Sequence, residues 1–123
     1  MTVIKEAQKS QILSDAVIEG MKELKASDIV LIDLRNIGNA VADFFVICSG
    51  NSDTQIDAIS DSVEEVVYKS TSDSPWRKEG KENREWILMD YANVVVHIFR
   101  KDRREFYSLE KLWGDAIITS IED

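Results

Sequence analysis

Apolar residues recur along this chain with two different periods, and the switches between them divide it into elements. Leu13, Val17, Met21 and Leu24, with Ile12 and Ala16 beside them, return every three to four positions. That spacing puts them on one face of a helix over about residues 3–24. The pattern then changes to continuous β-branched and apolar runs. DIVLIDL (28–34) and DFFVICSG (43–50), separated by the loop NIGNAVA, each read as a strand buried on both faces. A helical stripe resumes at Ile56, Ile59, Val63, Val66 and Val67, with Ser52 and Gln55 ahead of it in a capping-box pattern. After the loop-like STSDSPW, which holds the only proline, WRKEG reads as a short edge strand. REWILMDY and VVVHIF read as two strands joined by a tight turn at Ala92-Asn93, with Asn93 expected to take the positive φ. A last helix, capped near Asp102, directs Phe106, Leu109, Leu112, Trp113, Ala116 and Ile117 inward.

The predicted order is α-β-β-α-β-β-β-α in a single domain over residues 1–123. This is an α/β (α+β) fold, with a mixed β-sheet of about five strands flanked by helices. Only the middle helix is a crossover between strands, and the pattern leaves the strand order open.

Composition narrows the class. With 44% hydrophobic and 31% charged residues, the chain is globular rather than disordered. No apolar run approaches the roughly 18 residues of a membrane span. The start, MTVIKEAQKSQIL, resembles neither a signal nor a transit peptide, so a cytoplasmic location is expected. The lone Cys48, inside FFVIC, excludes an internal disulfide and reads as a small buried hydrophobe. The net charge of −8 repels phosphate backbones, which disfavours direct sequence-specific nucleic-acid binding and favours a basic protein partner. RKDRR (100–104) is a local basic cluster, read as a solvated loop and helix start.

The candidates for chemistry are few. SGNSD invites a phosphate-cradle reading at a helix N-terminus, but it lacks the glycine and lysine spacing of a P-loop, and Asp53 opposes an anion. His97 is the only histidine, too few for a zinc site, and no nucleophile stands beside it. Asp28 and Asp33 point to opposite faces of their strand, and Asp57 and Asp61 form a solvated i, i+4 pair. No catalytic set, cofactor site or metal site is expected. In EWILMDYANVVVHIF, Trp86, Leu88 and Asp90 share one side of a strand, and Ile87, Met89 and Tyr91 share the other. A tryptophan near a carboxylate, with a tyrosine at the turn, has the composition of an interface hot spot. Pattern alone leaves open whether Trp86 docks a partner or merely fills the core.

These motifs in this order, DIVLIDL, ADFFVICSGNSDTQIDAI, Glu79-Gly80, EWILMDYANVVVHIF and RREFYSLEKLWGDA, resemble the ribosomal silencing factor (Iojap) family. The likeness spans about residues 12–116. It implies a nucleotidyltransferase-like fold without the acidic pairs of the active enzymes. It implies binding to a large-subunit ribosomal protein, the fourteenth of the universal series, at the subunit interface. Joining of the small subunit would be blocked and translation lowered when nutrients are scarce. Organellar relatives act in large-subunit biogenesis, so an assembly role is the alternative, and a nucleotidyltransferase-like enzyme is a more remote one. Family members crystallise as dimers, which leaves a homodimer open. Carried over by motif, the partner-binding residues are Trp86, Asp90 and Tyr91. Many relatives have Gly where Ala92 stands.

Overall fold

The computed structural model describes residues 6–107 and 116–122. Helix α1 (Glu6–Glu23) leads into strands β1 (Ser27–Asp33) and β2 (Phe44–Gly50) and helix α2 (Asp53–Thr71). Strands β3 (Arg77–Glu79), β4 (Trp86–Asp90) and β5 (Val94–Arg100), helix α3 (Lys101–Tyr107) and strand β6 (Ile117–Ile121) follow. The strands form one six-stranded sheet in the order β3-β4-β5-β2-β1-β6. β2 and β5 pair in parallel at its centre, and the other neighbours pair antiparallel. These two central strands are also the ones whose residues are buried almost without a break. That is the environment their unbroken apolar sequences imply.

The sixth strand corrects the expected count of about five. IITSI, whose first residue was expected to lie on the last helix, joins the free edge of β1, from Ile29↔Ile121 to Asp33↔Ile117. The reason is local: three isoleucines and a threonine in five residues favour a pleated surface over a helix. Ile117, expected to point inward from that helix, is 61% exposed, whereas Ala116 does pack at the edge of the core. The expected positions Leu109, Leu112 and Trp113, and the side chain of Phe106, lie outside the described residues.

Helices α1 and α2 cover one face of the sheet. Val17 and Met21 of α1 meet Ile59, Val63 and Val67 of α2 over Val46, Cys48, Ile87, Met89, Val96 and Ile98. The two helices touch almost backbone to backbone at Gly20. A Cβ there would lie 2.7 Å from Val63 Cα, and Ser62 Oγ donates to the Gly20 carbonyl at 2.8 Å. The capping signal of α2 is realised. Ser52 Oγ accepts from Gln55 N at 3.1 Å, and Gln55 Oε1 accepts from Asn51 N at 2.6 Å.

The β4–β5 turn departs from expectation. Asn93 donates its N–H to the Tyr91 carbonyl at 3.0 Å, so Ala92 is the central residue of a three-residue turn. The positive φ, 73°, therefore falls on Ala92 and not on Asn93. Asp90 Oδ1 steadies it by accepting from Ala92 N at 2.8 Å.

Candidate functional site

Alternation along β4 sends neighbouring side chains to opposite faces. Ile87 and Met89 sink under the helices, while Trp86, Leu88 and Asp90 face away from them and remain partly exposed. On that second face Trp86 lies opposite Phe99 and Leu88 opposite His97 across the β4–β5 ladder. The register assembles an aromatic box. The Trp86 and Phe99 rings stack at 5.2 Å between centroids, and the His97 ring lies 4.7 Å from Phe45 and 5.7 Å from Trp86. Val30, Ile32, Leu34, Ile47 and Val95 fill the remainder of this layer.

One hydrogen bond ties the box together. Trp86 Nε1 donates to His97 Nδ1 at 3.0 Å. An accepting Nδ1 places the ring proton on Nε2. Burial pulls the His97 pKa down to about 3, so the ring is neutral near pH 7. Its Nε2 lies buried without a hydrogen-bond partner among the described residues.

The β3–β4 connection props Trp86 from the other side. Gly80 has a φ of 93°, and a Cβ there would collide with the Trp86 carbonyl oxygen. Only glycine combines that conformation with that approach. Lys81 then reaches Asp57 at 3.3 Å and Asp61 at 3.1 Å, and Arg84 reaches Asp57 at 3.1 Å. The carboxylate pair expected to be a solvated face thus clamps this loop onto α2. Beside Trp86 the loop leaves a shallow cleft of about 240 Å³ lined by Glu79, Gly80, Asn83, Glu85, Trp86 and Leu88.

The three residues carried over by motif are not brought together. Trp86 and Asp90 share a face. Asp90 is engaged internally, by the Ala92 amide and by Arg77 Nη2 at 3.6 Å. Tyr91 lies on the opposite face, 8% exposed, inside the core under α1 and α2. Burial pushes its hydroxyl pKa up, and the hydroxyl has no partner among the described residues. The partners of Trp86 on its own face, Phe45, His97 and Phe99, were not part of the expected site. Strand alternation already places His97 and Phe99 on one side. The tight turn expected at Ala92-Asn93, across which Tyr91 N donates to the Val94 carbonyl, sets Trp86 against Phe99 and Leu88 against His97. That signal is in the chain, but the expected site did not follow it to the pairing.

The other motifs find structural roles. Cys48 is fully buried, and burial pushes its thiol up, away from the thiolate that a nucleophile requires. In the basic cluster, Arg100 bridges Asp53 at 3.1 Å and Asp102 at 2.7 Å, and Arg103 approaches Glu85 at 3.5 Å. Arg104 Nη1 donates to the Asp28 carbonyl at 2.5 Å and to Ser49 Oγ at 2.9 Å. The cluster expected to be solvated therefore fastens α3 to the ends of β1, β2 and β5. Among the described residues no group of three or more His, Cys, Asp or Glu is arranged to hold a metal ion. No described helix is long and apolar enough to cross a membrane.

Fold and site define a mixed-sheet α/β domain whose polar contacts hold an aromatic surface in place. The chain belongs to the ribosomal silencing factor family: a family model described as "Ribosomal silencing factor during starvation" matches residues 6–123. It is 39% identical over 113 residues to ribosomal silencing factor RsfS of Halalkalibacterium halodurans, covering 92% of this chain and 95% of that protein. A more distant mouse relative, named "Mitochondrial assembly of ribosomal large subunit protein 1", is 31% identical over 101 residues, 80% of this chain and 44% of that protein. Among solved structures, a crystal structure of a Chromobacterium violaceum protein superposes with a TM-score of 0.77 at 32% identity, covering 85% of each chain.

Proposed function

We propose that this protein silences translation in the cytoplasm by docking on the large ribosomal subunit through the Trp86 face. There it keeps the small subunit from joining. The partner is a basic ribosomal protein, the fourteenth of the universal series. The observation that carries the reading is the partly exposed Trp86, held on an aromatic bed on the face that α1 and α2 leave free. Such an anchor is the usual centre of a protein interface. The net charge of −8 supports a basic protein as the contact and opposes wandering over RNA. The action is steric. A 14.0 kDa body at the subunit interface stops a second large body from closing, and no bond is made or broken.

Gradient sedimentation with separated subunits and with joined ribosomes tests the reading. The protein should travel with free large subunits, and the joined fraction should fall as protein is added. Co-migration with small subunits, or with neither, would remove it. The name of the mouse relative favours a second reading, assembly of the large subunit. That reading requires binding to immature large subunits and little to mature ones.

A further inference from the structure

We propose that His97 is the positioning residue of the docking face: its Nδ1 fixes which edge of the Trp86 indole points inward, and so which surface the large subunit meets. The proposal rests on the docking reading of Trp86.

Stacking on Phe99 sets the plane of the indole, since the two rings lie 25° apart. A stack does not choose between the edges of the ring. The hydrogen bond from Trp86 Nε1 to His97 Nδ1 does, because only one edge carries an N–H. The bond is also sheltered. His97 is 4% exposed, so water competes poorly for its Nδ1. The neutrality that burial enforces keeps Nδ1 an acceptor, whereas a charged ring would present a second donor to the indole.

Folding alone does not account for a histidine here. Its Nε2 is buried without a hydrogen-bond partner among the described residues, and an unpaired buried donor is destabilising. With Phe45 and Phe99 beside it, a phenylalanine would fill this space without a buried ring N–H of its own, leaving only the partly exposed indole N–H to water. What a phenylalanine cannot do is accept the Trp86 N–H. The histidine thus exchanges some stability for a fixed indole. A fixed anchor loses less freedom on binding than a mobile one.

Three full-length variants and purified large subunits test this. His97→Phe should fold and melt at the same temperature as the unaltered protein or higher. Its Trp86 indole N–H resonance, assigned with Trp86→Ala, should move upfield and broaden in the free protein. Its affinity for large subunits should fall about tenfold. His97→Asn, whose side-chain carbonyl can accept the indole N–H, should recover part of that loss even if it melts lower. Unchanged affinity in His97→Phe, alongside a weak Trp86→Ala, would overturn the positioning role and leave the docking reading standing. So would a His97→Asn that recovers nothing, or an affinity that falls only in proportion to a lowered melting temperature. Normal binding by folded Trp86→Ala would bring down the docking reading and this proposal with it.

Discussion

Ile87 and Met89 are fully buried beneath the helices, while Trp86 and Leu88, alternating with them in the same five-residue strand, stay partly exposed. The helical face is an ordinary core: aliphatic side chains of α1, α2 and four strands interlock, and the helices approach closely at Gly20. The opposite face is richer in aromatic rings, holds the one histidine, and leaves its tryptophan partly exposed. The contrast separates what β4 contributes to stability from what it offers outward.

Substitutions on the two sides of β4 should therefore fail in different assays. Met89→Ala should cost about 3 kcal/mol in denaturant unfolding, since it opens a cavity where no exposure relieves it. While folded, this variant should bind large subunits normally. Trp86→Ala should cost about 1–2 kcal/mol of stability, because the indole is only partly buried. Its affinity should fall by about 30-fold, the loss of a roughly 2 kcal/mol anchor. If the two variants lose stability equally and the folded Trp86→Ala binds normally, Trp86 is core and the distinction between the faces disappears.

Much of this architecture was legible in the chain because period and burial coincide in it. The α1 and α2 stripes, the two unbroken central strands and the Ser52–Gln55 cap were each written in a few adjacent residues. What escaped reading depends on long-range pairing. IITSI becomes a strand because β1 has a free edge to receive it. The site divided in the same way. Alternation predicts that Trp86 and Asp90 share a side and that Tyr91 takes the other. Carrying all three over as one partner-binding set overrides that, and Tyr91 lies in the helical core. The neighbourhood of His97 was legible too, because the tight turn at Ala92-Asn93 sets the β4–β5 register that brings it beside Trp86, but the expected site did not carry the turn through to that pairing.

Acid should sharpen the contrast by acting on the aromatic face first. Unfolding returns His97 to its ordinary pKa of 6.5, whereas in the fold it is held near 3. Between these values the unfolded chain binds a proton that the folded chain refuses. Stability therefore falls as pH falls through this window, with a slope approaching about 1.4 kcal/mol per pH unit. The lowered pKa values of Asp33, Glu65 and Asp102 act in the same direction, but only near and below the ordinary carboxylate values of 3.8 to 4.5. His97 is the only histidine, so the range between pH 6 and 5 isolates it. Denaturant unfolding across that range should give a clear slope for the unaltered protein and a nearly flat line for His97→Phe. An equal slope in both would place the titrating group elsewhere.

The smallest effect should come from the turn that joins the two faces. Ala92 sits at a φ of 73°, where its Cβ crowds the backbone, and the residue before it, Tyr91, belongs to the helical core. Asp90, one position earlier, belongs to the Trp86 face and accepts the Ala92 amide. Glycine at 92 would adopt this conformation without the crowding, worth about 1 kcal/mol or slightly more. It would also make the unfolded chain more flexible, which opposes folding by about 0.5–1 kcal/mol. The difference favours Ala92→Gly by a few tenths of a kcal/mol, a rise of about 1–3 °C in melting temperature. Affinity for large subunits should not move, because neither face loses a contact. A drop in melting temperature would mean that Ala92 is unstrained and that the stiffness of alanine matters more. A change in affinity at constant stability would mean that the turn itself touches the partner, and the boundary of the docking face would then extend beyond Asp90.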